Sequence, residues 1–401
     1  MLSDMLEHTL PSDSAHATLI GRAWVPTLGG PSPVVVRGGI VYDISRSFAT
    51  VRDLLECPEP VEAVARAVGE DLGTIRALLA NTPRAGRDAS APWLLAPIDL
   101  QPIKAAGVTF AVSMIERVIE ERAGGDPERA EQIRARIGER IGGDLADVKP
   151  GSERAAALKQ AFQDEGLWSQ YLEVGIGPDA EIFTKAQMLS AVGTGVPVGI
   201  RASSQWNNPE PEVALVMDSR GTAKGATLAN DVNLRDIEGR SALLLGAAKD
   251  NNASCAIGPF IRVFDEHFSL DSVQALTVEL DVRGEDGFTL TARSDMSLIS
   301  RAPQELIDQL FSAHHQYPDG AVLLLGTMFA PTADRYAPGA GFTHAIGDIV
   351  RISAPGLGGL VNVVDTSERC EPWTFGVADL MRNLANRGLL GSARPETKEV
   401  A

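Results

Sequence analysis

In NNPEPEVALVM, Asn207 to Met217, two carboxylates stand at the mouth of an apolar run that reads as a strand. Strand side chains alternate between faces, so Glu210 and Glu212 point the same way. Two carboxylates on one face repel unless a cation lies between them, and hard oxygen donors suit Mg²⁺, Mn²⁺ or Ca²⁺. The alternative is a chance pair on a solvated strand edge. About twenty residues on, ANDVNLRDIEGR (Ala229 to Arg240) ends a second strand on Asp231 before a polar turn. A third carboxylate there would close an open octahedral site that leaves positions for water and substrate. Lys249 follows in AAKDNNASCAIGPF, an isolated cation in a small, polar stretch.

Around this centre the chain alternates short apolar runs with Gly, Asp and Asn. Val198 to Arg201, Val213 to Met217, Gly225 to Ala229, Val322 to Leu325, Ile349 to Ser353 and Leu360 to Val364 read as strands, with a helix over Pro303 to Ala313. Val278 to Val282 and Phe288 to Ala292 flank Gly284 to Gly287 and make the clearest hairpin. Residues 1–95 pattern as a small N-terminal α+β domain, with strands broken at Gly29 and Gly38 and a helix after Pro60. Residues 96–401 form a β-rich catalytic domain with a helical insert at about 120–170. Within it, GVTFAVSMIERVIEE (Gly107 to Glu121) runs from a strand end into a helix that stops at Gly124-Gly125. Asp126-Pro127 starts another helix, with Ile133, Ile137 and Ile141 as an apolar stripe. The fold class is α+β.

With 401 residues, 44% hydrophobic and 22% charged, the composition is that of a globular chain, and no apolar run approaches the roughly 18 residues of a membrane span. The net charge of −17 works against a nucleic-acid partner. An anionic substrate therefore needs local cations or a bound metal. Cys57, Cys255 and Cys370 are too few and too scattered for a disulfide framework, and the N-terminus lacks the pattern of a secretory signal, so a cytoplasmic location is expected.

Seven short motifs then fall in sequence: Phe183-Thr-Lys185, Glu210-x-Glu212, Asn230-Asp231-Val232, Arg235-Asp236, Lys249, Ile257-Gly258-Pro259 and Leu325-Gly326-Thr327. Over about Gly107 to Val364 the chain resembles the fumarylacetoacetate hydrolase superfamily. The resemblance implies a catalytic domain of mixed β-roll type, Mg²⁺ (or Mn²⁺) on Glu210, Glu212 and Asp231, and a homodimer or dimer of dimers. It also implies a 2-oxo acid substrate that chelates the metal. Hydrolytic members carry an Asn-Tyr-x-x-His-x-x-Glu element whose His-Glu pair activates water. Its counterpart here is Thr109 to Glu116, with Ser113 in place of the histidine. A serine lacks a group titrating near neutrality.

The segments WNNPEPE (from Trp206), SAHHQYPDG (from Ser312) and GTMFAPTADRYAPGAGFTH (Gly326 to His344) look most like the sugar-acid branch, the 2-keto-3-deoxy-pentonate dehydratases. That branch implies loss of water from a 2-keto-3-deoxy sugar acid to give 2,5-dioxopentanoate. In this reading Lys249 is the base, its pKa lowered by a dication and by Arg235. Glu116 protonates the leaving hydroxyl or relays a later proton, and Ser113 marks the missing hydrolytic base. Lys185, Arg235 and the backbone of Gly326-Thr327 hold the carboxylate and carbonyl, while His315 and Gln316 read distal hydroxyls. His344 carries no role. An acylpyruvate-type C–C hydrolase or decarboxylase and a catalytically silent homologue are the competing readings.

Overall fold

A computed structural model describes residues 1–133, 148–164, 166, 168–329, 333–337 and 341–391. The N-terminal strands are β1 (Leu19–Val25), β2 (Gly30–Arg37), β3 (Ile40–Asp43), β4 (Glu70–Thr74) and β5 (Trp93–Leu95). β6 (Ile103–Gly107) precedes the helical region and β7 (Glu181–Ala186) follows it. Next come β8 (Val198–Ile200), β9 (Asn207–Asn208), β10 (Pro211–Met217), β11 (Ala223–Asp231), β12 (Asn233–Leu234) and β13 (Cys255–Val263). The last are β14 (Thr277–Arg283), β15 (Thr289–Asp295), β16 (Ala321–Leu324), β17 (Ile349–Ala354) and β18 (Gly358–Thr366).

One 11-stranded sheet runs β4-β3-β2-β1-β13-β11-β10-β16-β6-β7, with β5 paired to β1. A five-stranded sheet runs β15-β14-β17-β18-β8, and β9 and β12 form a small ribbon. The run in β10 is apolar at every position because both of its faces are covered. Val213, Leu215 and Met217 share a core with Val278, Leu280 and Val282 of β14 and Ile352 of β17, between the two sheets. Ala214 and Val216 belong to the opposite core, with Leu54, Leu55 and Val64 of the helices Val51–Leu55 and Pro60–Arg66. The hairpin expected around Gly284 to Gly287 is β14–β15, in register from Thr277↔Asp295 to Arg283↔Thr289.

The N-terminal α+β segment and the β-rich body share one sheet across the boundary expected at residue 95. β1 pairs with β13 through Leu19↔Arg262 and Ile20↔Ile261. Asp13 adds a two-point ion pair to Arg262, at 2.9 and 2.6 Å. The insert begins with the helix Ala111–Ala123, closed by Gly124 at φ 66°, a conformation glycine adopts without a Cβ penalty. Met114 and Val118 pack it against Leu172 and Ile176 of the helix Gln170–Ile176. The helix expected after Asp126 starts at Pro127, where Asp126 Oδ1 accepts the Glu128 amide at 3.0 Å. Ile137 and Ile141 of its expected stripe lie outside the described residues. Among the described residues no helix is long and apolar enough to cross a membrane.

Because β10 carries the site on a doubly buried strand, Leu215→Ala should cost about 2–5 kcal/mol through the cavity it leaves. Chemical denaturation checks this. A loss below about 1 kcal/mol would mean that the two cores do not depend on this strand.

Candidate metal centre and cavity

Glu210 lies just before β10, Glu212 within it, and Asp231 at the end of β11, and β10 and β11 are antiparallel neighbours. This pairing brings one carboxylate oxygen from each of the three buried residues within 4.8 Å of the others. Burial and then the charges of Asp231 and Glu210 push the Glu212 carboxyl well above the usual carboxylate range. Glu210 is also raised, with burial prevailing over Lys249 and Arg117. For Asp231, burial is outweighed by Lys185 and Lys249, and the net shift is downward. Three hard donors this close, two of them resisting ionisation, fit a divalent cation, which would supply the missing positive charge.

Lys249 stands among them. Its Nζ lies 2.5 Å from Glu210 Oε2 and 3.2 Å from Asp231 Oδ2. The sequence reading expected a lowered lysine pKa. Instead, burial is outweighed by Asp231 and Glu210, and the ammonium is held above its ordinary value.

Lys185 is wholly buried and does not line the cavity. Its Nζ donates to the carbonyls of Val232 and Lys249 at 2.9 and 2.6 Å, and it stands 2.7 Å from Asp231 Oδ1. Three ammonium hydrogens thus face two carbonyls and one carboxylate oxygen, so Lys185 is fully engaged inside the protein, where a substrate contact had been expected. The Gly326 amide is likewise engaged, donating to Glu212 Oε2 at 2.7 Å. Gly326 takes φ 88°, and a β-carbon there would also run into Thr109 Oγ1 and the Ala106 carbonyl. Thr327 does line the cavity, and its hydroxyl accepts the Phe329 amide at 3.1 Å.

The helix Ala111–Ala123 closes the cavity with Ser113, Glu116, Arg117 and Glu120, residues three and four apart on one face. The Ser113 hydroxyl donates to the Phe110 carbonyl at 2.9 Å. Arg117 reaches Glu210 Oε1 at 2.6 Å, Glu238 at 2.7 Å and Glu120 at 2.8 Å. Arg235 donates through Nε to Glu120 at 2.6 Å, meets Glu116 at 3.4 Å and stacks 4.1 Å from the Trp206 ring centroid. It faces the cavity with two carboxylates already on it. His315 and Gln316 are exposed on the 312–320 turn, away from the cavity lining, and the Gln316 amide donates to the carbonyls of Ser312 and Ala313 at 3.3 and 2.8 Å. Neither side chain lines the cavity in which distal hydroxyls were expected to be read. His344 is buried, with Nδ1 at 3.1 Å from Asp348.

Sequence reasoning missed Arg117, Glu120, Glu238 and Glu181, all of which line the cavity. Glu181 sits on β7 opposite Gly107, whose missing side chain leaves room for its carboxylate. Burial and then the charge of Glu238 push Glu181 from 4.5 up to about 7. Its signal lay in the alternation of Glu181, Phe183 and Lys185 along one strand.

A family model described as fumarylacetoacetate (FAA) hydrolase C-terminal matches residues 169–365. A probable 2-keto-3-deoxyxylonate dehydratase of Haloferax volcanii is 31% identical over 209 residues, covering 52% of this chain and 68% of that protein. A 2-dehydro-3-deoxy-D-arabinonate dehydratase of Saccharolobus solfataricus is 33% identical over 184 residues, covering 46% of this chain and 58% of that one. The chain belongs to the fumarylacetoacetate hydrolase superfamily. Its fold is that of 2-keto-3-deoxy-D-arabinonate dehydratase, whose apo structure superposes with a TM-score of 0.60 at 20% identity, covering 87% of this chain and 99% of that one. The structure of that enzyme with magnesium and 2,5-dioxopentanoate gives a TM-score of 0.59 at 21% identity, with the same coverage.

The raised Glu181 pKa makes the folded protein hold a proton that the unfolded chain releases. Its stabilisation is complete below about pH 4.5 and is lost as pH rises through about 7. Glu181→Gln cannot ionise, so in metal-free protein it should gain stability over wild type at about pH 8 relative to about pH 5.5. Urea unfolding at both pH values measures this. Equal differences at the two would show that Glu181 has an ordinary pKa.

Proposed function

We propose that this chain is a Mg²⁺-dependent dehydratase that converts a 2-dehydro-3-deoxy-pentonate to 2,5-dioxopentanoate. The observation that carries the reading is a single cavity lined both by Glu210, Glu212 and Asp231, close enough together to hold a cation, and by Glu181, a carboxyl pushed up to about 7. Groups with pKa values pushed apart in one site are the mark of divided acid and base roles. The named activities of the two curated relatives support the substrate class.

Held by Glu210, Glu212 and Asp231, Mg²⁺ supplies Lewis acidity to the carboxylate and C2 carbonyl of a bound 2-keto acid and so acidifies C3. Lys249 takes the C3 proton. It is charged while Glu210 and Asp231 flank it, and with those carboxylates engaged elsewhere burial favours the neutral amine. Glu181 donates its proton to the C4 hydroxyl, which departs as water and leaves a C3–C4 double bond. Glu181, now ionised, takes a proton from C5 while the Lys249 ammonium returns one to C3, which restores both groups and leaves a C4–C5 enol; passage of the enol hydroxyl proton to C4 then gives the aldehyde. Glu116, paired with Arg235, holds that guanidinium at the cavity wall. Mn²⁺ suits the same donors, and a homodimer or dimer of dimers in the cytoplasm completes the reading.

Hydrolysis is the weaker reading. The Ser113 hydroxyl is engaged by the Phe110 carbonyl, and a serine at this position brings no group that titrates near neutrality to activate water.

An aldehyde-coupled assay with a panel of keto-deoxy pentonates tests the proposal. Turnover should vanish with EDTA and return with Mg²⁺, and Glu181→Gln should lower kcat by at least about 10²-fold. Efficient cleavage of an acylpyruvate, with no turnover of any keto-deoxy acid, would overturn it.

A further inference from the structure

Each of the three carboxylates has one oxygen bound to a protein donor. Glu210 Oε1 is held by Arg117 Nη2 at 2.6 Å, Glu212 Oε2 by the Gly326 amide at 2.7 Å, and Asp231 Oδ1 by Lys185 Nζ at 2.7 Å. The donors come from the helix Ala111–Ala123, the turn after β16 and strand β7, so the arrangement does not arise from one local motif. Glu210 Oε2 and Asp231 Oδ2 face one common space, since the single Lys249 Nζ touches both. Glu210 and Asp231 thus each turn one oxygen to that space, where Lys249 stands, and have the other held from behind; Glu212, whose Oε2 is held by the Gly326 amide, completes a trio with one oxygen from each residue within 4.8 Å of the others.

Cations differ in what they ask of such a site. Mg²⁺ and Mn²⁺ take about six ligands in octahedral array at about 2.1 Å, and single oxygens suit them. Ca²⁺ takes about six to eight ligands at about 2.3–2.6 Å and gains from carboxylates that bind through both oxygens. Three single oxygens leave room for water and a chelating 2-keto acid around a six-coordinate ion. They leave a larger ion short of ligands.

We propose that Arg117, Lys185 and the Gly326 amide fix each carboxylate to one-oxygen coordination and so select a small six-coordinate cation over Ca²⁺. This rests on the metal reading of the site. In it Arg117 and Lys185 are positioning residues, and the negative charge of the trio is shared by all cations alike, so discrimination comes from which oxygens are free. Arg117 also pairs with Glu120 and Glu238, so its removal changes the total charge near the seat. That change raises affinity for every divalent ion. Only the ratio of affinities reports on denticity.

The test is calorimetric titration of chelator-treated protein with MgCl₂ and with CaCl₂, which requires no turnover. Wild type should bind Mg²⁺ at least about tenfold more tightly than Ca²⁺. Arg117→Met frees Glu210 Oε1 and Lys185→Met frees Asp231 Oδ1. Each should move the ratio about tenfold toward Ca²⁺, with folding checked by circular dichroism. Equal binding of the two ions by wild type would overturn the proposal, and that measurement needs no variant. An unchanged ratio in folded variants, or an equal loss of both ions, would overturn it as well. Binding of neither ion by wild type would remove the metal reading itself, and this inference with it.

Discussion

Six buried carboxylates, Glu116, Glu120, Glu210, Glu212, Asp231 and Glu238, line the cavity of this protein, and the fold tolerates them because cations are interleaved between them. Glu210 lies between Arg117 and Lys249, Asp231 between Lys185 and Lys249, and Glu120 between Arg117 and Arg235. A charge taken out of water without a partner costs several kcal/mol, so each of these side chains holds its neighbours to a narrow range of positions. The network also joins elements far apart in sequence: the helix Ala111–Ala123, strands β7, β10 and β11, and the short helices Arg235–Glu238 and Leu245–Lys249. Apolar packing fixes these elements on their outer sides. Inside the cavity, charge alternation sets their register.

The alternation is incomplete in two places. At Glu212 burial and the charges of Asp231 and Glu210 outweigh Lys249 and the Gly326 amide, and at Glu181 burial outweighs Arg117 and Lys249. Both carboxyls are pushed upward, while Asp231, answered twice, is pushed down. Positive charge in the cavity is thus unevenly shared, concentrated on Glu210 and Asp231 and sparse at Glu212 and Glu181. The serine at 113 fits this division, because a base on that helix would compete for the Glu181 proton.

What the sequence revealed depended on range. Glu210, Glu212 and Asp231 could be found because strand alternation and strand ends are local properties, and the hairpin around Gly284 could be found for the same reason. The superfamily motifs supplied Lys249. Arg117 gave no local sign, since an arginine on a helix is usually solvated, and only the docking of that helix over Glu210 gives it a function. The internal engagement of Lys185 gave no local sign, because its three partners, at the end of β11, just after it and at the end of the helix Leu245–Lys249, all lie far from it in sequence. His315 and Gln316 were polar residues in a promising order on a turn that faces water. The union of the N-terminal segment with the main sheet was invisible for a similar reason: β1 and β13 pair across most of the chain, and nothing in either strand announces the other.

That pairing has a consequence for synthesis. Asp13 and Arg262 are 249 residues apart, and Leu19 and Ile20 find their partners only when β13 exists. At about 5–20 residues per second, the ribosome delivers β13 more than about ten seconds after the first strand emerges. During that interval the Leu19–Ile20 edge of β1 has no strand beside it, and Met5 of the helix Leu2–His8, already packed on Leu78 and Leu79, lacks Phe260 and Val361. The nascent chain is therefore an open-edged sheet awaiting closure, and such edges attract the wrong strands. Its acidic character, with 53 Asp and Glu against 36 Lys and Arg, keeps neighbouring nascent chains apart while they wait.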